Sequence, residues 1–102
     1  MTRLRETHTI HWRGITIEVR YEERWLGADG PFSTAHLELE SIAPARAPLP
    51  VTETGYRSHF TPAAVIAAAG GAVAFATAWL EREAGAQAWK AQEEAARQMT
   101  LF

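Results

Sequence analysis

The sequence contains no cysteine, so disulfides, thiolate nucleophiles and cysteine-ligated metals are excluded. It also lacks an excess of either charge. Ten lysines and arginines stand against 12 acidic residues, for a formal net charge of -2. Broad binding to a nucleic-acid backbone needs a basic surface, so direct nucleic-acid binding is not expected. Charge is missing altogether between Thr61 and Leu80, a length that could cross a bilayer. Those residues are mostly alanine and glycine, whereas spans lean on Leu, Ile, Val and Phe. Pro62 and Gly70-Gly71 read there as helix punctuation, and no membrane span is expected. Met1-Thr2-Arg3-Leu4-Arg5-Glu6 has no apolar run behind its arginines and does not read as a signal peptide. The expected setting is cytoplasmic.

What is present is ordinary globular usage, with 47% hydrophobic and 22% charged residues over 102 positions. This predicts one small domain over residues 1–97, followed by a tail at 98–102. The first half alternates with period two. Ile15, Ile17, Val19 and Tyr21 share one face, against Thr16, Glu18, Arg20 and Glu22. His8, Ile10 and Trp12 alternate before them, and Arg13-Gly14 supplies the positive φ of a tight hairpin. Ala35, Leu37 and Leu39 form a third inward row, with His36, Glu38 and Glu40 outward. These runs predict a three-stranded antiparallel meander with one wet face. The Gly27–Pro31 stretch reads as a loop, and Pro44, Pro48 and Pro50 predict a stiff extended connector.

The second half reads as helical. Thr61 suits an N-cap and Pro62 a first turn, with Gly70-Gly71 ending that helix. A second helix carries Phe75 and Trp79, with Ala72, Ala76 and Leu80 beside them, on one apolar stripe expected to pack on Ile15, Ile17, Val19, Leu37 and Leu39. A last segment from Ala86 shows Ala88, Ala91, Ala95 and Met99 on one small-residue face, with Trp89 off it. The predicted fold class is α+β: the meander packed against C-terminal helices.

Chemical signatures are few. No Gly-rich phosphate loop, nucleophile elbow or paired-carboxylate motif is visible, so no cofactor is indicated and a non-enzymatic role is expected. Tyr56, Arg57 and His59 crowd onto a loop before the helix at Thr61, where the helix dipole favours an anion, and they form a candidate anion or partner site. Packing of Tyr56 and Phe60, with Arg57 paired to a carboxylate, is the plainer reading. His36 and Glu38 have the spacing that aims two strand ligands one way. Three or four convergent ligands are not evident, however, and no metal site is assigned. Trp12 and Trp25 could offer stacking surfaces, but core packing accounts for them more simply.

The last five residues, Gln98-Met99-Thr100-Leu101-Phe102, carry the most specific signal. A glutamine, an aliphatic residue, a small polar residue and then Leu-Phe resembles the peptide by which bacterial replication and repair proteins dock on the DNA sliding clamp. The resemblance implies that Leu101 and Phe102 fill a pocket while the Gln98 amide fixes the register, with Met99 as the motif's aliphatic residue. Paired large apolar anchors commonly dominate such binding.

Across the body, the series His11-Trp12-Arg13-Gly14-Ile15, His36-Leu37-Glu38, Pro48-Leu49-Pro50, Thr54-Gly55-Tyr56-Arg57-Ser58-His59-Phe60, Gly70-Gly71 and Trp79-Leu80 is similar to small uncharacterised proteins of bacterial plasmids and other mobile elements. That resemblance implies a setting in replication, transfer or counter-defence. The reading is an interaction module tethered to the sliding clamp. The alternatives are an inhibitor of a host defence nuclease, of anti-CRISPR or anti-restriction type, and an anion-binding domain centred on residues 54–59. A homodimer through the Ala-rich helices or the edge strands fits each of them.

Overall fold

A computed structural model describes residues 5–23 and 34–99, with the side chains of residues 87, 88 and 96–99 left undescribed. The element order is β1 (Arg5–Trp12), β2 (Ile15–Glu22), β3 (Thr34–Ala43), β4 (Tyr56–Pro62), α1 (Ala63–Ala68), α2 (Ala72–Ala84) and α3 (Gln87–Met99). The four strands form one antiparallel sheet in the order β1-β2-β3-β4. The α+β class stands, and the meander has four strands where the sequence predicted three. The Gly27–Pro31 loop, Trp25 and the residues Thr100, Leu101 and Phe102 lie outside the described residues.

The β1–β2 hairpin follows from its turn. Trp12 pairs with Ile15 across a two-residue loop in which both Arg13 (φ 47) and Gly14 (φ 81) are left-handed. Positive φ at both central positions is the twist that two-residue hairpins favour. Register then fixes the faces. Ile10, Trp12, Ile17, Val19, Tyr21, Ala35, Leu37 and Leu39 point to the side that carries the helices, and most of them are fully buried.

The fourth strand replaces the expected loop. Leu37 pairs with His59, Leu39 with Arg57 and Ala35 with Thr61. Thr61 is therefore a strand residue and not a helix cap. Pro62 precedes α1, a helix of six residues whose Ile66 is buried. Gly70 (φ 103) and Gly71 (φ 113) then reverse the chain into α2, as the glycine pair predicted. The charge-free stretch is thus divided among strand, short helix and α2, and no helix among the described residues is long and apolar enough to cross a membrane.

One packing expectation is corrected in part. Ala72, Ala76 and Leu80 of the expected stripe, joined by Ala84, are buried against the sheet at a spacing of four, whereas Phe75 and Trp79 lie to one side. Small side chains at that spacing let the helix axis approach the sheet closely. Phe75 and Trp79 are only half-buried and flank the core on the β4 side. On α3, Ala91 and Ala95 are exposed, and Trp89 packs on the core instead. The proline segment is folded and not extended. Isolated bridges join Ile42 to Ala45 and Leu49 to Thr52, the Ala43-Pro44 peptide is cis, and Leu49 and Val51 are buried.

Candidate functional site

All three helices lie on one side of the sheet, which leaves the opposite face uncovered by any helix among the described residues. Alternation places Arg5, Thr7 and Thr9 of β1 on that face. β2 adds Glu18, Arg20 and Glu22, β3 adds His36, Glu38 and Glu40, and β4 adds Tyr56, Ser58 and Phe60. Arg20 stands at its centre. Its guanidinium donates to Glu18, to Glu38 at 3.4 Å and to Glu40 at 3.1 Å. Burial works against the charged guanidinium, but these three carboxylate bonds outweigh it and raise the Arg20 pKa. Burial likewise pushes Glu38 up, while hydrogen bonds from Tyr56 and Arg20 prevail and hold it below the usual carboxylate range. The Tyr56 hydroxyl donates to Glu38 Oε2, and that bond raises the phenol's pKa.

Beside this cluster, the His36 ring stacks on Phe60 at 4.4 Å between centroids, and His36 Nε2 lies 2.6 Å from Ser58 Oγ. Arg5, Arg20, Tyr21, Glu22, His36 and Glu38 line a hollow of about 160 Å³ between the clusters. The three apolar side chains Ile42, Tyr56 and Phe60 are 43%, 42% and 51% exposed. Tyr56 and Phe60 share this face, whereas Ile42 sits at the β-bulge where β3 passes from Ser41, opposite Ile17, to Ala43, opposite Thr16. Among the described residues no three His, Asp or Glu side chains are grouped as a metal would require.

The strand divides the Tyr56, Arg57 and His59 candidates. Tyr56 lies on the open face, whereas Arg57 and His59 turn beneath α2. The Arg57 guanidinium lies 5.5 Å above the Trp79 ring, and Arg57 Nη1 is 3.5 Å from the Val51 carbonyl. His59 packs at 4.7 Å from Trp79 and 6.0 Å from Phe75. Burial lowers its pKa, and the Arg57 charge adds to the effect. A single anion does not meet all three side chains. Trp12 is buried, with its indole N–H donating to Glu81 at 2.8 Å, so it offers no stacking surface.

The tail hangs from α3. Trp89 packs 6.0 Å from Trp12, and its indole N–H is buried without a hydrogen-bond partner, so it holds by packing alone. One turn later Glu93 accepts two bonds from Arg13, at 2.9 and 3.1 Å. Arg13 also reaches Glu81 at 3.2 Å and covers the Trp12 ring at 4.8 Å. The hairpin turn thereby clamps α2 and α3 together. The backbone of Gln98 and Met99 continues the helix beyond this clamp.

The family of the KlcB third domain matches residues 5–89. The chain belongs to the KlcB third-domain family. The match takes in the whole sheet, α1, α2 and Trp89 at the start of α3, and residues 98–102 fall outside it. No match was found among curated proteins or among solved structures. The signal that sequence reasoning missed is the strand itself. Tyr, Phe and Thr within residues 56–61 are strand-forming types that follow a glycine, and counting them would have placed Tyr56 opposite Arg57.

Proposed function

We propose that this chain is a non-enzymatic interaction module of plasmid-related origin, which engages one protein through its body and the bacterial sliding clamp through Gln98, Met99, Leu101 and Phe102. The KlcB family is plasmid-associated, which supports that setting. The observation that carries the tether is the seating of α3. Trp89 and Glu93 are among the side chains that hold it, Lys90, Ala91, Gln92 and Ala95 are exposed, and its backbone runs on to Gln98 and Met99, where the motif begins.

The test is binding of the full chain, and of a chain ending at Arg97, to a purified bacterial sliding clamp. The full chain is expected to bind with a Kd on the order of micromolar, as a short two-anchor peptide does, and the shortened chain not at all. Equal binding by both chains, or none by the full chain, overturns the tether. The second reading, inhibition of a defence nuclease, draws on the open face with its exposed Tyr56 and Phe60. It needs no tail, so a chain ending at Arg97 would inhibit as well as the full one.

A further inference from the structure

Two of the four exposed large apolar side chains among the described residues, Tyr56 and Phe60, belong to the helix-free face, while Ile42 lies at the β3 bulge and Val65 on α1. Scattered exposed apolar residues need no explanation, but two aromatic rings on the same face of one edge strand, with no described helix over them, do. The aromatic pair is also held in place. Tyr56 is bonded to Glu38 and Phe60 is stacked on His36, so little side-chain freedom remains to be lost on binding. Aromatic anchors of limited freedom are the groups that dominate protein interfaces.

Charge selects the occupant. Among the described residues, Glu18, Glu38 and Glu40 share this face with Arg5 and Arg20, so carboxylates outnumber guanidiniums there. Arg20 fixes the carboxylates in position, and the side chains of Glu40 and Glu18 remain 45% and 31% exposed. Phosphate would be repelled here. A second copy would present the same carboxylates to themselves, which opposes pairing of two such faces. A surface with arginine or lysine set among apolar side chains satisfies both halves of the face. We infer that the helix-free face, centred on Tyr56, Phe60 and the Arg20-bound carboxylates, docks a basic and apolar protein surface. This rests on the reading of the chain as an interaction module and names the chemistry of the body's partner.

The probe is a short synthetic peptide alternating arginine with valine, titrated into the full chain labelled with ¹⁵N. The expected result is saturable amide shifts on β3 and β4, from Glu38, Glu40, Tyr56, Ser58 and Phe60, that weaken with added salt. The same peptide with glutamate in place of arginine should give none. Phe60→Ser and Tyr56→Ser alter exposed positions and should each weaken binding about fivefold or more while the ¹⁵N spectrum stays that of the folded chain. Absence of saturable shifts, shifts confined to the helical side, equal binding of the acidic peptide, or full affinity in both variants overturns the inference. No clamp is in this titration, so failure here is separate from failure of the tail to bind the clamp.

Discussion

Replacing Gly55 by alanine tests the junction that launches β4. Gly55 has φ +80, and an added Cβ would lie 2.6 Å from Arg46 C, 2.7 Å from Arg46 Cα and 2.9 Å from Arg46 O. All three are backbone atoms and cannot swing aside. Gly14 is the natural control, with φ +81 and nothing within 4 Å of its added Cβ. Holding an L-residue in the left-handed region costs about 1–2 kcal/mol, and Gly14→Ala should show that alone. Gly55→Ala must also push the 44–47 turn away. Ser41 binds both strands of this junction, its N–H donating to Gly55 O at 2.8 Å and its Oγ to Ala47 O at 2.7 Å. Losing one such bond at a buried residue adds about 1–3 kcal/mol. Urea unfolding of both variants should therefore separate them by at least about 1 kcal/mol, or about 4–8 °C in Tm for a domain of this size. Destabilisation of the two within about 0.5 kcal/mol of each other would refute the contact with Arg46.

Other perturbations probe the remaining parts. Arg20→Ala leaves Glu18, Glu38 and Glu40 without their shared donor and should cost about 2–4 kcal/mol in urea unfolding at neutral pH, less at a pH where carboxylates protonate. His59 has its pKa lowered in the folded chain by burial and by Arg57, so protonation favours the unfolded chain. Its contribution is present above the unfolded value of about 6.5 and is lost as pH falls below it; His59→Gln should flatten that part of a stability–pH profile. Ala76, wholly buried on the seat of α2, should cost about 1–3 kcal/mol when changed to leucine, whereas Ala91→Leu on exposed α3 should stay within about 0.5 kcal/mol.

The strands that bury one face were legible because their pattern is forced. Ile17, Val19, Leu37 and Leu39 must alternate with polar neighbours when helices cover only one side. β4 broke that rule as an edge strand. Its inward row is Arg57, His59 and Thr61 and its outward row Tyr56, Ser58 and Phe60, so neither row is plainly apolar. Arg57 stays exposed and His59 is half-buried, both beside the Phe75–Trp79 flank of α2 at the rim of the core. The stripe was expected to seat Phe75 and Trp79 with Ala72, Ala76 and Leu80, but the sheet centre is filled by Leu37, Leu39 and Ile17, and α2 fits over it with Ala72, Ala76 and Leu80 while the two rings lie to one side. On α3 the sequence set Trp89 off the small-residue face, and it is this ring, with the Glu93 carboxylate, that meets the rest of the domain.

The wet face was legible as wet, but its organisation depends on register, which no single strand contains. Glu18 lies directly opposite Glu40, and Arg20 opposite Glu38. Like charges facing each other across strands destabilise a sheet, and here Arg20 offsets the pair by binding both members as well as Glu38. A sheet selected for stability alone could place threonine or lysine at position 18 or 40 and dispense with the arrangement. Three carboxylates held around one guanidinium, next to exposed Tyr56 and Phe60, are the groups that the proposed docking of a basic and apolar surface would use.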